Sequence, residues 1–199
     1  MAFIGLRYPM AAKITAETAG SEPTYGEAGS GFYVGKAMTA NLTITRNDNP
    51  LYADDVIAEE DNGITGMSIE LGVDDVAEDI QVKLLGTKSV TGSTTSDPTV
   101  YYDTEAGADP VGFGYIRVRR LRGVTSYQAV WMYKVTFSLT AENSTTKGEA
   151  IEWQTPTLTG RAAGVPLSSP AGIAYRKRAI FTTEAAAIAW LKGMANVSA

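Results

Sequence analysis

Neither cysteine nor histidine occurs in the 199 residues of this chain. Without cysteine there is no disulfide framework and no thiolate nucleophile. Without histidine the commonest general base, the usual metal ligand and the usual partner of a catalytic serine are all missing. No run of about 18 apolar residues exists, so no segment reads as a membrane span. The start, MAFIGLRYPM, has no charged leader and no long apolar stretch, and Pro9 interrupts it. No signal peptide is read there, and the expectation is a protein made and kept in a cytosol or released by lysis. Cations are scarce in one half. Residues 1–110 hold 18 acidic and 6 basic side chains, whereas residues 111–199 hold 4 and 11. The overall net charge of −5 hides this split.

What is present suits a folded protein. A hydrophobic fraction of 44% is too high for general disorder, and the length fits one domain over 1–199 that buries roughly 70% of its unfolded surface. Residues 1–35 read as an N-terminal arm followed by Gly- and Ser-rich loops, with a short strand around Lys13–Thr18. Two strands of strict period two follow. Met38, Ala40, Leu42 and Ile44 alternate with Thr39, Asn41, Thr43 and Thr45, and Met67, Ile69, Leu71 and Val73 alternate with Ser68, Glu70 and Gly72. Between them, residues 46–63 form a long acidic hairpin loop with Asp54, Asp55, Glu59, Glu60 and Asp61, and Asn62-Gly63 reads as its turn signal.

Asp74–Leu85 predicts a short helix, with Asp75 and Glu78 at capping-box spacing and Gly86 as the stop. Val100–Thr104 is β-prone, and GADPVGFG reads as a turn or loop. Tyr115–Leu121 is a strand with Arg117 and Arg119 on one side. Tyr127–Leu139 is the clearest strand, with Tyr127, Ala129, Trp131, Tyr133, Val135, Phe137 and Leu139 on one face. Residues 150–158 read as a strand carrying Ile151 and Trp153, GRAAGVPLSSPAG as a loop, and Ile173–Phe181 as a strand. Glu184–Lys192 predicts a helix with Thr183 as N-cap and Gly193 as its end. Strands mostly follow strands, which predicts a mainly β fold: an antiparallel sandwich or barrel with one or two short flanking helices.

Candidate chemistry is thin. GSGFYVGKA approaches a phosphate loop, but Ser30 stands where glycine is required and Ala37 where a hydroxyl would meet magnesium. An EF-hand register through Gly63 puts Ala58 and Ile69 at ligand positions. The acidic residues show no pairing that points to glycoside hydrolysis, and no spacing points to a Ser–Lys dyad. RVRRLR, from Arg117 to Arg122, could meet phosphates, but a strand in an acidic chain makes pairing with carboxylates of the same or a neighbouring subunit the better reading. Trp131, Tyr133 and Trp153 read as core. No catalytic, cofactor-binding or metal residue is assigned. On charge alone, two ordinary surfaces explain the split between halves. With the acidic hairpin added, complementary faces on identical subunits explain it equally well.

Several segments together resemble the major tail proteins of long, flexible-tailed bacteriophages: GLRYPMAAKIT, LTITRNDNPLYADD, GITGMSIELGVDD, GFGYIRVRR, YQAVWMYKVTF, IEWQTPTLTG and FTTEAAAIAWL. The resemblance covers most of the chain and lies in the order and spacing of these pieces. It implies a tail tube subunit that forms stacked, hexameric rings, with the inner sheets of neighbours joined around a channel for double-stranded DNA. It implies no catalysis, assembly in the host cytoplasm into a virion tail, and contacts with itself and with tape measure and terminator proteins. Thr39, Asn41, Thr43, Thr45, Ser68 and Glu70 are then expected to face the channel. Asp54, Asp55, Glu59, Glu60 and Asp61 are expected to meet cations on the next ring, with Arg117, Arg119, Arg120, Arg176, Lys177 and Arg178 as candidates. The immunoglobulin-like domain that some tail proteins carry after this helix is not expected here. The alternatives are a tail terminator or head–tail connector ring, and a carbohydrate- or calcium-binding β-sandwich module.

Overall fold

The computed structural model describes residues 2–27, 29–92, 97–104, 107–142, 146 and 155–197. In chain order these hold β1 (Ala2–Ala16), β2 (Thr24–Tyr25), β3 (Phe32–Tyr33), β4 (Ala37–Arg46), β5 (Asn49–Ala53), β6 (Val56–Asp61), β7 (Ile64–Val73), α1 (Glu78–Leu84), β8 (Lys88–Thr91) and β9 (Thr99–Tyr102). They continue with β10 (Val111–Leu121), β11 (Val124–Ala141), β12 (Thr157–Ala162), β13 (Val165–Ser168), β14 (Ala171–Ala174), β15 (Arg176–Phe181) and α2 (Glu184–Ala195). The expected mainly antiparallel β fold with short flanking helices is what forms.

The main sheet runs β2-β1-β10-β11-β12-β7-β4, with β3 added at β1 and β15 at β11. Its far end returns: Cα atoms of β4 come within 8 Å of β1, although no ladder joins the two strands. The sheet is therefore rolled nearly into a barrel, as the twist of a large antiparallel sheet favours. Its concave side holds the first core, with Phe113, Tyr115, Val130, Met132, Val135 and Phe137 facing Ile69, Leu71 and Leu158. Ala40, Leu42 and Ile44 of β4 and the helix α1 close this core.

A second core lies on the convex side, where α2 packs Ala187, Leu191 and Ala195 against Met10, Ala12, Ile116, Ala129 and Trp131. Gly114 makes this approach possible, because a Cβ there would lie 2.5 Å from both Leu191 Cδ1 and Trp131. Thr183 caps α2 as expected, its hydroxyl accepting from Ala186 N at 3.4 Å. The helix passes through Gly193 and ends at Asn196, which is left-handed with φ 51°. Gly193 is thus an interior residue and not the stop.

Other expectations are corrected as well. The N-terminal segment is no free arm: β1 is a central strand, with Met10, Ala11 and Ala12 fully buried. Pro9 hid this strand. It sits at a bulge between Arg7 and Met10, where its carbonyl accepts from Val34 N at 3.0 Å. Val111–Gly114, expected in a loop, opens β10 and is buried. The aromatic strand is buried on both faces. Ala129, Trp131 and Tyr133 point to the second core, and Val130, Met132, Val135 and Phe137 to the first. The change of parity after Tyr133 matches a register shift against β10 between Val111 and Phe113.

Met38 is exposed because a bulge between Ala37 and Thr39 takes it off the buried face. The first helix is shorter than predicted and begins after Ala77, with no side-chain cap. Gly86 does follow it with φ 80°. The segment read as GRAAGVPLSSPAG loop contains the end of β12 and the β13–β14 hairpin. Residues 147–154, with Ile151 and Trp153, lie outside the described residues.

Candidate assembly surfaces

The four-stranded part of the sheet, β4-β7-β12-β11, has one face in the first core and the other in solvent. The ladder aligns outward residues in rows. Asn41 opposes Glu70, Glu70 opposes Thr159, and Thr159 opposes Ser138. In the next row Thr43, Ser68, Arg161 and Thr136 follow one another in the same way. All six residues expected on a channel wall, Thr39, Asn41, Thr43, Thr45, Ser68 and Glu70, lie on this one outward face. Sequence reading missed the β12 and β11 contributions. For β12 the signal is present in the alternation Thr157-Leu158-Thr159-Gly160-Arg161-Ala162, but the strand expected over 150–158 ends inside it and Gly160–Ala162 read as loop.

The rows are rich in hydroxyls and their charge is balanced, with Glu70 beside Ser68–Arg161. Several hydroxyls bond within the face, Ser138 Oγ to Thr159 O at 3.3 Å and Thr140 to Thr159 through their hydroxyls. Among the described residues the sheet also keeps open edges. β4 ends the strand order. β11 has no ladder partner beyond Val135 on its β10 side among the described residues. A groove of about 450 Å³ lined by Gln81, Leu85, Thr87, Asp103, Phe137 and Leu139 runs beside that second edge.

Beyond β4 and β7 the acidic loop is a second, well-formed hairpin. β5 and β6 pair from Asn49↔Asp61 to Ala53↔Val56. The turn is at Asp54-Asp55, with φ of 50° and 64°, not at Asn62-Gly63. Two consecutive left-handed residues give the hairpin the twist its strands need, and Asp tolerates this conformation better than most residues. Asn47 N bonds Gly63 O at 2.8 Å and Arg46 Nη1 bonds Asn62 O at 3.0 Å, so the two ladders join into one long arm. Asp61 is engaged there, accepting from Asn47 Nδ2 at 2.8 Å. Asp54, Asp55, Glu59 and Glu60 are exposed and form no ion pair among the described residues. The arm is also apolar. Leu51, Tyr52, Val56 and Ile57 are each more than half exposed. A lone two-stranded ribbon cannot bury these side chains within its own chain.

The six basic candidates separate. Arg176 and Arg178 pair with Met132 and Val130, so they share the face of the first core. Arg117 lies on that same face and donates to Gln128 Oε1 at 2.7 Å, with its guanidinium 4.2 Å above the Phe3 ring. Arg119 is two residues further along the strand. Lys177 points to the opposite face, where it pairs with Glu22 at 2.6 Å, and Arg120 alternates away from Arg119 and is exposed. Burial first, and then the like charges of Arg178 and Arg117, hold Arg176 below the ordinary arginine range.

No family model matches this chain, and no curated protein matches it.

Proposed function

We propose that this protein is a structural subunit that self-assembles into stacked rings, the tube of a long-tailed phage through which genome DNA is ejected. The observation that carries this reading is the four-stranded sheet with, among the described residues, an open edge at each end and an outward face of hydroxyls and balanced charge. Open edges invite strands of another copy, and a closed ring of such sheets leaves no edge exposed. A wall of Thr, Ser and Asn with one Glu and one Arg gives phosphates no cationic stripe to release counterions against, so DNA can pass without adhering. The protruding arm supports assembly in the second direction, because its apolar tip is exposed among the described residues. Tape measure and terminator proteins are the further partners expected at the ends of such a tube.

Negative-stain microscopy of the purified protein tests this reading. Rods with a central channel are expected. Isolated rings would favour a terminator or connector role, and a persistent monomer at high concentration would sink the proposal.

A further inference from the structure

Asn62-Gly63 is the only Asn-Gly pair in the sequence, and the turn of the acidic hairpin lies elsewhere, at Asp54-Asp55. The pair belongs to neither ladder. It links the end of β6 at Asp61 to the start of β7 at Ile64, and both of its residues are exposed. The peptide group between them is held from two sides. Arg46 Nη1 donates to Asn62 O at 3.0 Å, and Gly63 N donates to Asp61 Oδ1 at 3.2 Å. A guanidinium on the oxygen favours the negative charge that builds on this amide when its nitrogen loses a proton. The carboxylate on the N–H stands where that proton goes. No hydrogen bond holds the Asn62 side-chain amide among the described residues. Its Cγ is free to turn toward Gly63 N, and Gly63 carries no Cβ to obstruct the approach. Every other asparagine precedes a residue with a side chain: Leu42, Asp48, Pro50, Ser144 or Val197.

We propose that Asn62-Gly63 is a self-modification site, where the chain converts Asn62 to isoaspartate and so loosens the root of its own arm. Gly63 N gives its proton to Asp61 and attacks Asn62 Cγ. A C–N bond closes a succinimide ring, the Cγ–Nδ2 bond breaks, and the leaving nitrogen takes the proton from Asp61 and departs as ammonia. Water then opens the ring. Opening at the former backbone carbonyl of Asn62 leaves the chain running through Cγ, which is isoaspartate, and opening at Cγ gives aspartate. One water is consumed and one ammonia released, with nothing oxidised or reduced. The isoaspartate route adds a methylene to the main chain and a carboxylate beside Asp61. Across this joint Asn47 N bonds Gly63 O, and Asn47 Nδ2 bonds Asp61 Oδ2, both at 2.8 Å. An extra backbone atom takes Gly63 O out of register with Asn47. The arm then hinges at the joint, while the β4–β7 ladder from Ile64 onward keeps its pairing. The site belongs to a single chain and does not depend on the tube reading.

Incubation of the full-length protein in heavy-oxygen water at mildly alkaline pH tests the site. Peptide mass spectrometry follows label entering at Asn62, and fragmentation separates isoaspartate from aspartate. In the folded protein Asn62 should convert on the order of tenfold faster than in the chain unfolded by urea at the same pH. Asp61→Ala and Arg46→Gln should each lower the folded rate to the urea rate without changing the urea rate, and Arg46→Lys should keep part of the acceleration. Circular dichroism verifies that each variant is folded. Conversion no faster in the folded chain than in urea overturns the proposal, as does a folded rate indifferent to both Asp61→Ala and Arg46→Gln. The modified fraction, separated by its added charge, should exchange the Asn47 amide and those of residues 49–61 faster than the unmodified protein, with residues 67–73 unchanged. Equal exchange at Asn47 overturns the hinge.

Discussion

The indole Nε1 of Trp131 donates to the hydroxyl of Tyr25 at 3.0 Å, and the two rings meet edge to face with centroids 5.1 Å apart. The same hydroxyl donates onward to Tyr133 O at 2.9 Å. One phenol from a two-residue strand thereby satisfies two buried polar groups of β11 and pins the loops after β1 to the second core. Replacing Tyr25 with Phe keeps the ring contact and orphans both groups. It should cost about 1–3 kcal/mol, measured as a lowered urea midpoint with an unchanged denaturant slope. An unchanged midpoint would mean that water satisfies both groups.

Alkaline stability follows from the same cluster. Burial raises the ionisation of Tyr25, Tyr115 and Tyr133 above the ordinary tyrosine value, and Glu22 adds to the effect at Tyr133. In each case the neutral phenol is favoured by folding. Their contribution is complete below about pH 10, the unfolded value, and is lost as pH rises through the higher folded values. The melting temperature should fall above pH 10, and less steeply in Tyr25→Phe. A flat profile to pH 11.5 would contradict the burial of these hydroxyls.

Gly114 is a packing position. Its added Cβ would also meet Val130 O at 2.7 Å, and this backbone atom cannot move aside. Gly114→Ala should therefore destabilise by about 1–3 kcal/mol and loosen α2, seen as faster amide exchange over residues 184–195. Equal exchange rates would show that α2 shifts at no cost.

The turn separates shape from charge in the arm. Asp54→Asn with Asp55→Gly installs the residue pair that a two-residue hairpin of this hand prefers. Nuclear magnetic resonance should show the β5–β6 ladder retained or strengthened, while assembly at low salt slows because two carboxylates are gone. Assembly as fast as the unaltered protein's would leave Glu59 and Glu60 as the anions that matter.

The hydroxyl face can be made adhesive. Thr43→Lys together with Thr159→Lys should leave folding and assembly intact but give salt-sensitive binding of double-stranded DNA, with affinity falling steeply as salt rises. Indifference to DNA in assembled material would place this face away from any channel.

Much was legible in the chain alone, and the reason is local. Period-two alternation over Ala40–Ile44 and Met67–Val73 determined which side chains of β4 and β7 go inward. It therefore also determined that Thr39, Asn41, Thr43, Thr45, Ser68 and Glu70 share the outward face. Thr183 announced the start of α2 through its own capping chemistry, and the clustering of acids between the strands was visible as composition. What stayed hidden depended on partners distant in sequence. Pro9 and the paired alanines gave β1 no clean period, and only its ladder with β10 makes it a central strand. Gly112 and Gly114 look like turn residues, yet they are glycine because Trp131, Tyr25 and Leu191 press on the strand there. Burial of β11 on both faces, the bulge that reverses its parity, and the approach of Arg117 and Arg176 to Tyr115 all require β10, β11 and β15 to lie side by side. Alternation is a property of one strand. Which strands become neighbours is decided by closing a rolled sheet around one core and a helix over the other, and only the tertiary structure makes that choice.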